Sequence, residues 1–131
     1  MEKTHLGQPK PKNFLLIDDD PLFCNLMSTT ARGLGFDLEY YHSVLEMDPL
    51  GSPSRYDLSL LDYDLGPING LDIAHHAPQL LGDHPVILVS AYERSKILTD
   101  HLPYKICGYI CKKNGAHSII SYAQTFIQKP H

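Results

Sequence analysis

Two short, unbroken apolar runs constrain this chain most: Phe14-Leu15-Leu16-Ile17 and Val86-Ile87-Leu88-Val89. Each is too short for a helix of ordinary length, and neither alternates with polar residues. Such a run suits a strand covered on both faces, as in a parallel sheet sandwiched between helices. Asp18, Asp19 and Asp20 follow the first run at once. Asp20 then reads as a helix N-cap with Pro21 at the first helical position. Leu22, Phe23, Leu26, Met27 and Leu34 recur at helical spacing, and Gly33 and Gly35 supply stop signals.

The same alternation continues along the chain. Phe36 to Tyr40 alternates apolar with polar, the pattern of a strand near a sheet edge. Residues 43–50 suit a short helix, broken by Gly51-Ser52-Pro53-Ser54. Tyr56 to Leu61 predicts a third strand ending in Asp62. A Gly/Pro/Asn loop spans 66–70 and a helix runs to about Leu81. Pro85 to Val89 is the fourth strand, 93–101 a helix stopped by Pro103, and Gly108 to Cys111 the fifth strand. An amphipathic helix over 116–128 closes the chain, with Ile119, Ile120, Ala123, Phe126 and Ile127 on one side. Right-handed crossovers then require an α/β, doubly wound, three-layer sandwich around a five-stranded parallel sheet. Residues 1–12 are polar and proline-containing, and read as a flexible lead-in to a single domain over 13–131.

Composition excludes several classes. At 43% hydrophobic and 20% charged residues, the chain is globular rather than disordered. No run approaches the roughly 18 apolar residues of a membrane span. Without an export signal, the cytoplasm is the expected compartment. A net charge of −4 and the lack of a Lys/Arg stripe argue against direct nucleic-acid binding. Cys24, Cys107 and Cys111 are an odd number, which argues against a disulfide framework. They read as small apolar packing residues. His75 and His76 are adjacent and point apart on a helix, so they do not share a metal face.

In a doubly wound sheet, ligands bind beyond the carboxyl ends of the strands. Those ends carry Asp18, Asp19 and Asp20 after strand one, Asp62 after strand three, Ser90 after strand four and Lys112 after strand five. Aspartates often follow strands only because they cap helices, and Asp20 fits that role. Asp18, Asp19 and Asp62 together would repel unless a cation sat among them. Hard oxygen ligands suit Mg2+. A lysine and a hydroxyl beside them suit a phosphoryl group.

Four pieces resemble the receiver family of two-component response regulators: Leu15 to Pro21 (LLIDDDP), Leu60 to Gly70 (LLDYDLGPING), Val89-Ser90-Ala91, and Gly108 to Lys112 (GYICK). The resemblance covers roughly residues 12–128. It implies a flavodoxin-like (βα)5 fold with strand order 2-1-3-4-5. It also implies that Asp62 accepts a phosphoryl group from a phosphohistidine of a sensor histidine kinase or histidine phosphotransfer protein. By the same resemblance Asp19 binds Mg2+ directly, Asp18 through water, and Asp64 through its backbone carbonyl. Ser90 senses the phosphoryl group, Lys112 contacts its oxygens, and Tyr109 is the aromatic that moves with Ser90. The face of helix 4, strand 5 and helix 5 would then meet a downstream effector or a second copy. Asp64 and Tyr92 would flank the path of the hydrolytic water, with Tyr92 obstructing it.

Two departures stand out. Gly66 occupies the place of the family's usual proline, with Pro67 after it. Lys113 follows Lys112 where the family usually has a cis proline. A cis non-proline bond costs about 2.5–4 kcal/mol, so a trans bond is expected. Two rival activities fit part of the pattern. One is a haloacid-dehalogenase-type phosphohydrolase using Asp62 and Asp64, although its motif normally follows the first strand. The other is an interaction module independent of phosphorylation, although such modules usually lack the acceptor or the acidic pair.

Overall fold

A computed structural model describes residues 12–43, 56–65, 68–69, 84–92 and 106–127 of the chain. Five strands form one sheet: β1 (Asn13–Ile17), β2 (Asp37–Tyr41), β3 (Leu58–Asp62), β4 (Val86–Ser90) and β5 (Ile106–Cys111). Their order is β2-β1-β3-β4-β5, and every neighbouring pair is parallel. This is the strand order of the flavodoxin-like (βα)5 fold. β3 and β4 are buried at every position, and β1 at all but Asn13. The edge strand β2 is exposed at Asp37, Glu39 and Tyr40. Unbroken apolar runs thus lie inside the sheet and the alternating segment lies at its edge, as two-sided and one-sided burial require.

The pleat sorts the strand residues into two cores. Phe14, Leu16, Leu58, Leu60, Ile87 and Val89 face one side. There they meet α1 (Pro21–Gly33) and α2 (Ala116–Gln124). Leu15, Ile17, Leu61, Val86 and Leu88 pack on the other side, with Tyr56. α1 begins as its sequence predicts, with the Asp20 side chain accepting from the N–H groups of Leu22 and Phe23 and proline in the first turn. It is closed by Gly35, whose φ of 87° lies where a side chain would be strained.

Of the apolar residues at helical spacing, α1 buries Met27 fully and Phe23 in part. Leu22 is 81% exposed and Leu26 53%, and Leu34 is exposed too. The buried stripe is Cys24, Met27 and Ala31, at i, i+3 and i+7. The cysteines also divide: Cys24 and Cys111 are buried, as expected of packing residues, while Cys107 is exposed on the edge strand β5.

Boundaries shift by a residue or two at several elements. β5 starts two residues earlier than expected, with a register irregularity opposite Val86 and Ile87. α2 ends at Gln124, and the turn after it carries Phe126 and Ile127 against the first core. The expected loop after β3 contains a small antiparallel pairing of Asp64–Leu65 with Ile68–Asn69. A 3-10 turn spans Lys112–Asn114, and the Lys112–Lys113 bond is trans, as expected. The helices expected over 43–50, 71–81 and 93–101 lie outside the described residues apart from Ser43, as does the lead-in apart from Lys12. No described helix is long and apolar enough to cross a membrane.

Candidate functional site

Strand register brings the carboxyl ends level. Ile17 pairs with Leu61, Asp62 with Val89, and Ser90 with Cys111. Asp18, Asp62, Ser90 and Lys112 therefore emerge along one edge of the sheet. Asp18 is fully buried and Asp62 is 4% exposed, whereas Asp19 is exposed. Asp18 is fixed at several atoms. Its N–H donates to the Tyr41 carbonyl (3.1 Å), its carbonyl accepts from the Cys24 thiol (3.2 Å), and its Oδ1 accepts from the Asp20 N–H (2.9 Å).

The carboxylates of Asp18, Asp19 and Asp62 each place an oxygen within 4.8 Å of the others. Lys112 Nζ lies 2.8 Å from Asp18 Oδ2 and 3.8 Å from Asp62 Oδ2. Burial pushes the Asp18 carboxyl above its ordinary range, and Lys112 and the Asp20 N–H draw it part of the way back. Burial works against the Lys112 ammonium too, but pairing with Asp18, aided by Asp62 and Asp20, outweighs it and holds the lysine above its usual value. One ammonium among three carboxylates leaves surplus negative charge, which a divalent cation would neutralise. The donor set is hard. The nearby Cys24 thiol is pushed up to about 12 by burial and by the adjacent aspartates, so it stays protonated and offers no soft ligand. The acidic cluster is thus placed to coordinate Mg2+.

Ser90 is buried, and its Oγ accepts from the Tyr92 N–H (3.0 Å). The half-buried Tyr109 donates its hydroxyl to the Tyr92 carbonyl. One peptide residue thus holds both the hydroxyl and the aromatic singled out from the sequence. The Tyr92 ring itself is 51% exposed. Asp64 lies two residues past Asp62, its backbone paired with Asn69. Sequence reasoning missed Phe23 as a site residue: its ring lies under Lys112, with Nζ 4.5 Å from the ring centre. Helical spacing marks Phe23 only as apolar, and nothing local in the chain points to its partner.

Residues 14–124 match the family model described as the response regulator receiver domain. The chain belongs to this family. As a receiver domain it is a phospho-acceptor of two-component signalling rather than a turnover enzyme of the haloacid dehalogenase type, and Mg2+ is its cofactor. Three solved structures share its fold. The Thermotoga maritima response regulator TrrA, in complex with Mg(2+)-BeF, is 22% identical (TM-score 0.70, covering 88% of this chain and 98% of that one). A CheY-like receiver domain protein from Methanospirillum hungatei is 19% identical (TM-score 0.72, 88% and 92%). The non-phosphorylated HemR receiver domain from Leptospira biflexa is 21% identical (TM-score 0.72, 92% and 98%). No curated protein sequence matches the chain.

Proposed function

We propose that Asp62 is the acceptor and that its donor is a phosphohistidine on a sensor histidine kinase or histidine phosphotransfer protein. The supporting observation is the lysine bridge: Lys112 Nζ reaches both Asp18 and Asp62 across a cluster of three carboxylates. An Asp62 oxygen attacks phosphorus, the phosphorus–nitrogen bond breaks, and the electron pair leaves on the imidazole nitrogen. The product is a mixed anhydride, later cleaved by water. Asp18, Asp19, Asp62 and the Asp64 backbone carbonyl would hold Mg2+, which supplies positive charge against the equatorial phosphoryl oxygens. Lys112 adds the protein's own positive charge there.

Ser90 turns its hydroxyl from the Tyr92 N–H to a phosphoryl oxygen. Tyr109, tied to the same residue, follows. The affected surface includes β5 and α2, and would be read by an effector protein or by a second copy. It makes no direct contact with nucleic acid or membrane, and the domain works in the cytoplasm. Tyr92, exposed beside Ser90, and Asp64 flank the approach of the hydrolytic water. Bulk at Tyr92 prolongs the phosphorylated state by obstructing that approach.

Incubation with acetyl phosphate and Mg2+ tests the acceptor. The intact mass should rise by one phosphoryl group, and Asp62→Asn should remove that gain completely. Full labelling of the Asn variant would move the acceptor elsewhere.

A further inference from the structure

Among the described residues, the Lys112 ammonium lies within ion-pair distance of two carboxylates and over one aromatic ring. Asp18 is at 2.8 Å, Asp62 at 3.8 Å, and the Phe23 ring centre at 4.5 Å. It is the charged nitrogen that lies over the ring, not merely the aliphatic stem. That distance is within the roughly 6 Å of a cation–π contact. Phe23 is itself held in place. It occupies the first turn of α1, its N–H is capped by Asp20 Oδ1 (3.3 Å), and its side chain packs partly buried against the first core.

The three neighbours differ in what loading the site does to them. Mg2+ and a phosphoryl group compete with Lys112 for Asp18 and Asp62. The ring carries no charge to be claimed, so neither Mg2+ nor the phosphoryl group competes with the lysine for it. The location makes such a hold necessary. The first turn of a helix carries a positive partial charge, which disfavours a cation beside it. The negative face of the ring offsets this together with the Asp20 carboxylate that caps the same helix end.

We infer that Phe23 is a positioning residue for Lys112, the fixed support on which the ammonium swings from Asp18 toward the phosphoryl oxygens on Asp62. This rests on the acceptor role proposed for Asp62. A leucine fills similar core volume but offers no face to a cation, whereas a tyrosine does. Phe23→Leu should therefore slow phosphorylation by acetyl phosphate about three- to tenfold, the size of a partly desolvated cation–π contact. Phe23→Tyr should restore most of the rate. Mg2+ affinity, measured with the metal alone, should change less than twofold in either variant, because the three acidic groups of the cluster are kept.

NMR of the wild-type protein gives a test that needs no variant. The Lys112 methylene protons should be shifted upfield by the ring, both without ligand and with Mg2+ and beryllofluoride. A wild-type rate in Phe23→Leu would overturn the inference, as would equal slowing in the Leu and Tyr variants, or ordinary Lys112 proton shifts in both states. Absence of any labelling in the wild-type protein would instead overturn the acceptor assignment on which the inference rests.

Discussion

The described part of the molecule buries polar side chains at opposite ends of one sheet. Asp18, Asp62 and Ser90 lie at the carboxyl ends of the strands, and Ser59 and His84 lie toward the amino ends. Burial is nearly the same, but the charge balance is not. At the amino end Ser59 Oγ and His84 Nε2 meet at 2.6 Å, and the Tyr56 ring stands edge-on to the imidazole. Burial lowers the His84 pKa against the opposing pull of Asp57, so the imidazole is held neutral. Only His84 Nδ1 lacks a partner there. At the carboxyl end, one ammonium faces three carboxylates. The neutral pair carries no surplus charge and serves the fold. A cluster with surplus charge is complete only with something from outside.

The largest expected effect tests the charged end. Lys112→Met leaves the fully buried Asp18 without its counter-ion and should cost about 3–5 kcal/mol, nearer the lower figure because Asp18 can take up a proton instead. Urea unfolding without metal measures it. A second change, Asp18→Asn, should return most of the loss. If the double variant is no more stable than Lys112→Met, the buried charge is not what the lysine balances.

Ser59→Ala should cost less, about 1–3 kcal/mol, by removing the partner of a buried imidazole nitrogen. It should leave Mg2+ affinity and labelling of Asp62 unchanged. Loss of either would show that the two ends are coupled through β3 rather than independent.

The smallest effect concerns pH. The His84 pKa in the folded state lies below its ordinary 6.5, so the unfolded chain takes up the proton first. Its contribution is fully present above about pH 6.5 and is lost as pH falls toward the folded value. His84→Gln removes this component. Wild-type stability relative to the variant should therefore drop between pH 7.5 and 5.5, as followed by thermal unfolding. A parallel pH profile for the two proteins would mean that burial does not hold the imidazole neutral.

Much of this was legible in the chain itself. Unbroken apolar runs mark β1 and β4 as interior strands, because a strand covered on both faces has no polar side to show. Asp18, Asp19, Asp62, Ser90 and Lys112 could be placed together before any coordinates, because a parallel doubly wound sheet brings its carboxyl ends to one edge. The cap at Asp20 is local and needs only its neighbours. What depends on contacts between distant segments was not legible. Helical spacing in α1 suits more than one apolar stripe, and packing against the sheet and α2 buries Cys24, Met27 and Ala31 and leaves Leu22 and Leu26 exposed. Ser59 reads as a polar interruption of a strand until His84 is brought against it. Phe23 reads as a core residue until β5 delivers Lys112 onto its ring. A periodic pattern says which residues can be buried; only the packing of elements decides which are, and which charges they meet there.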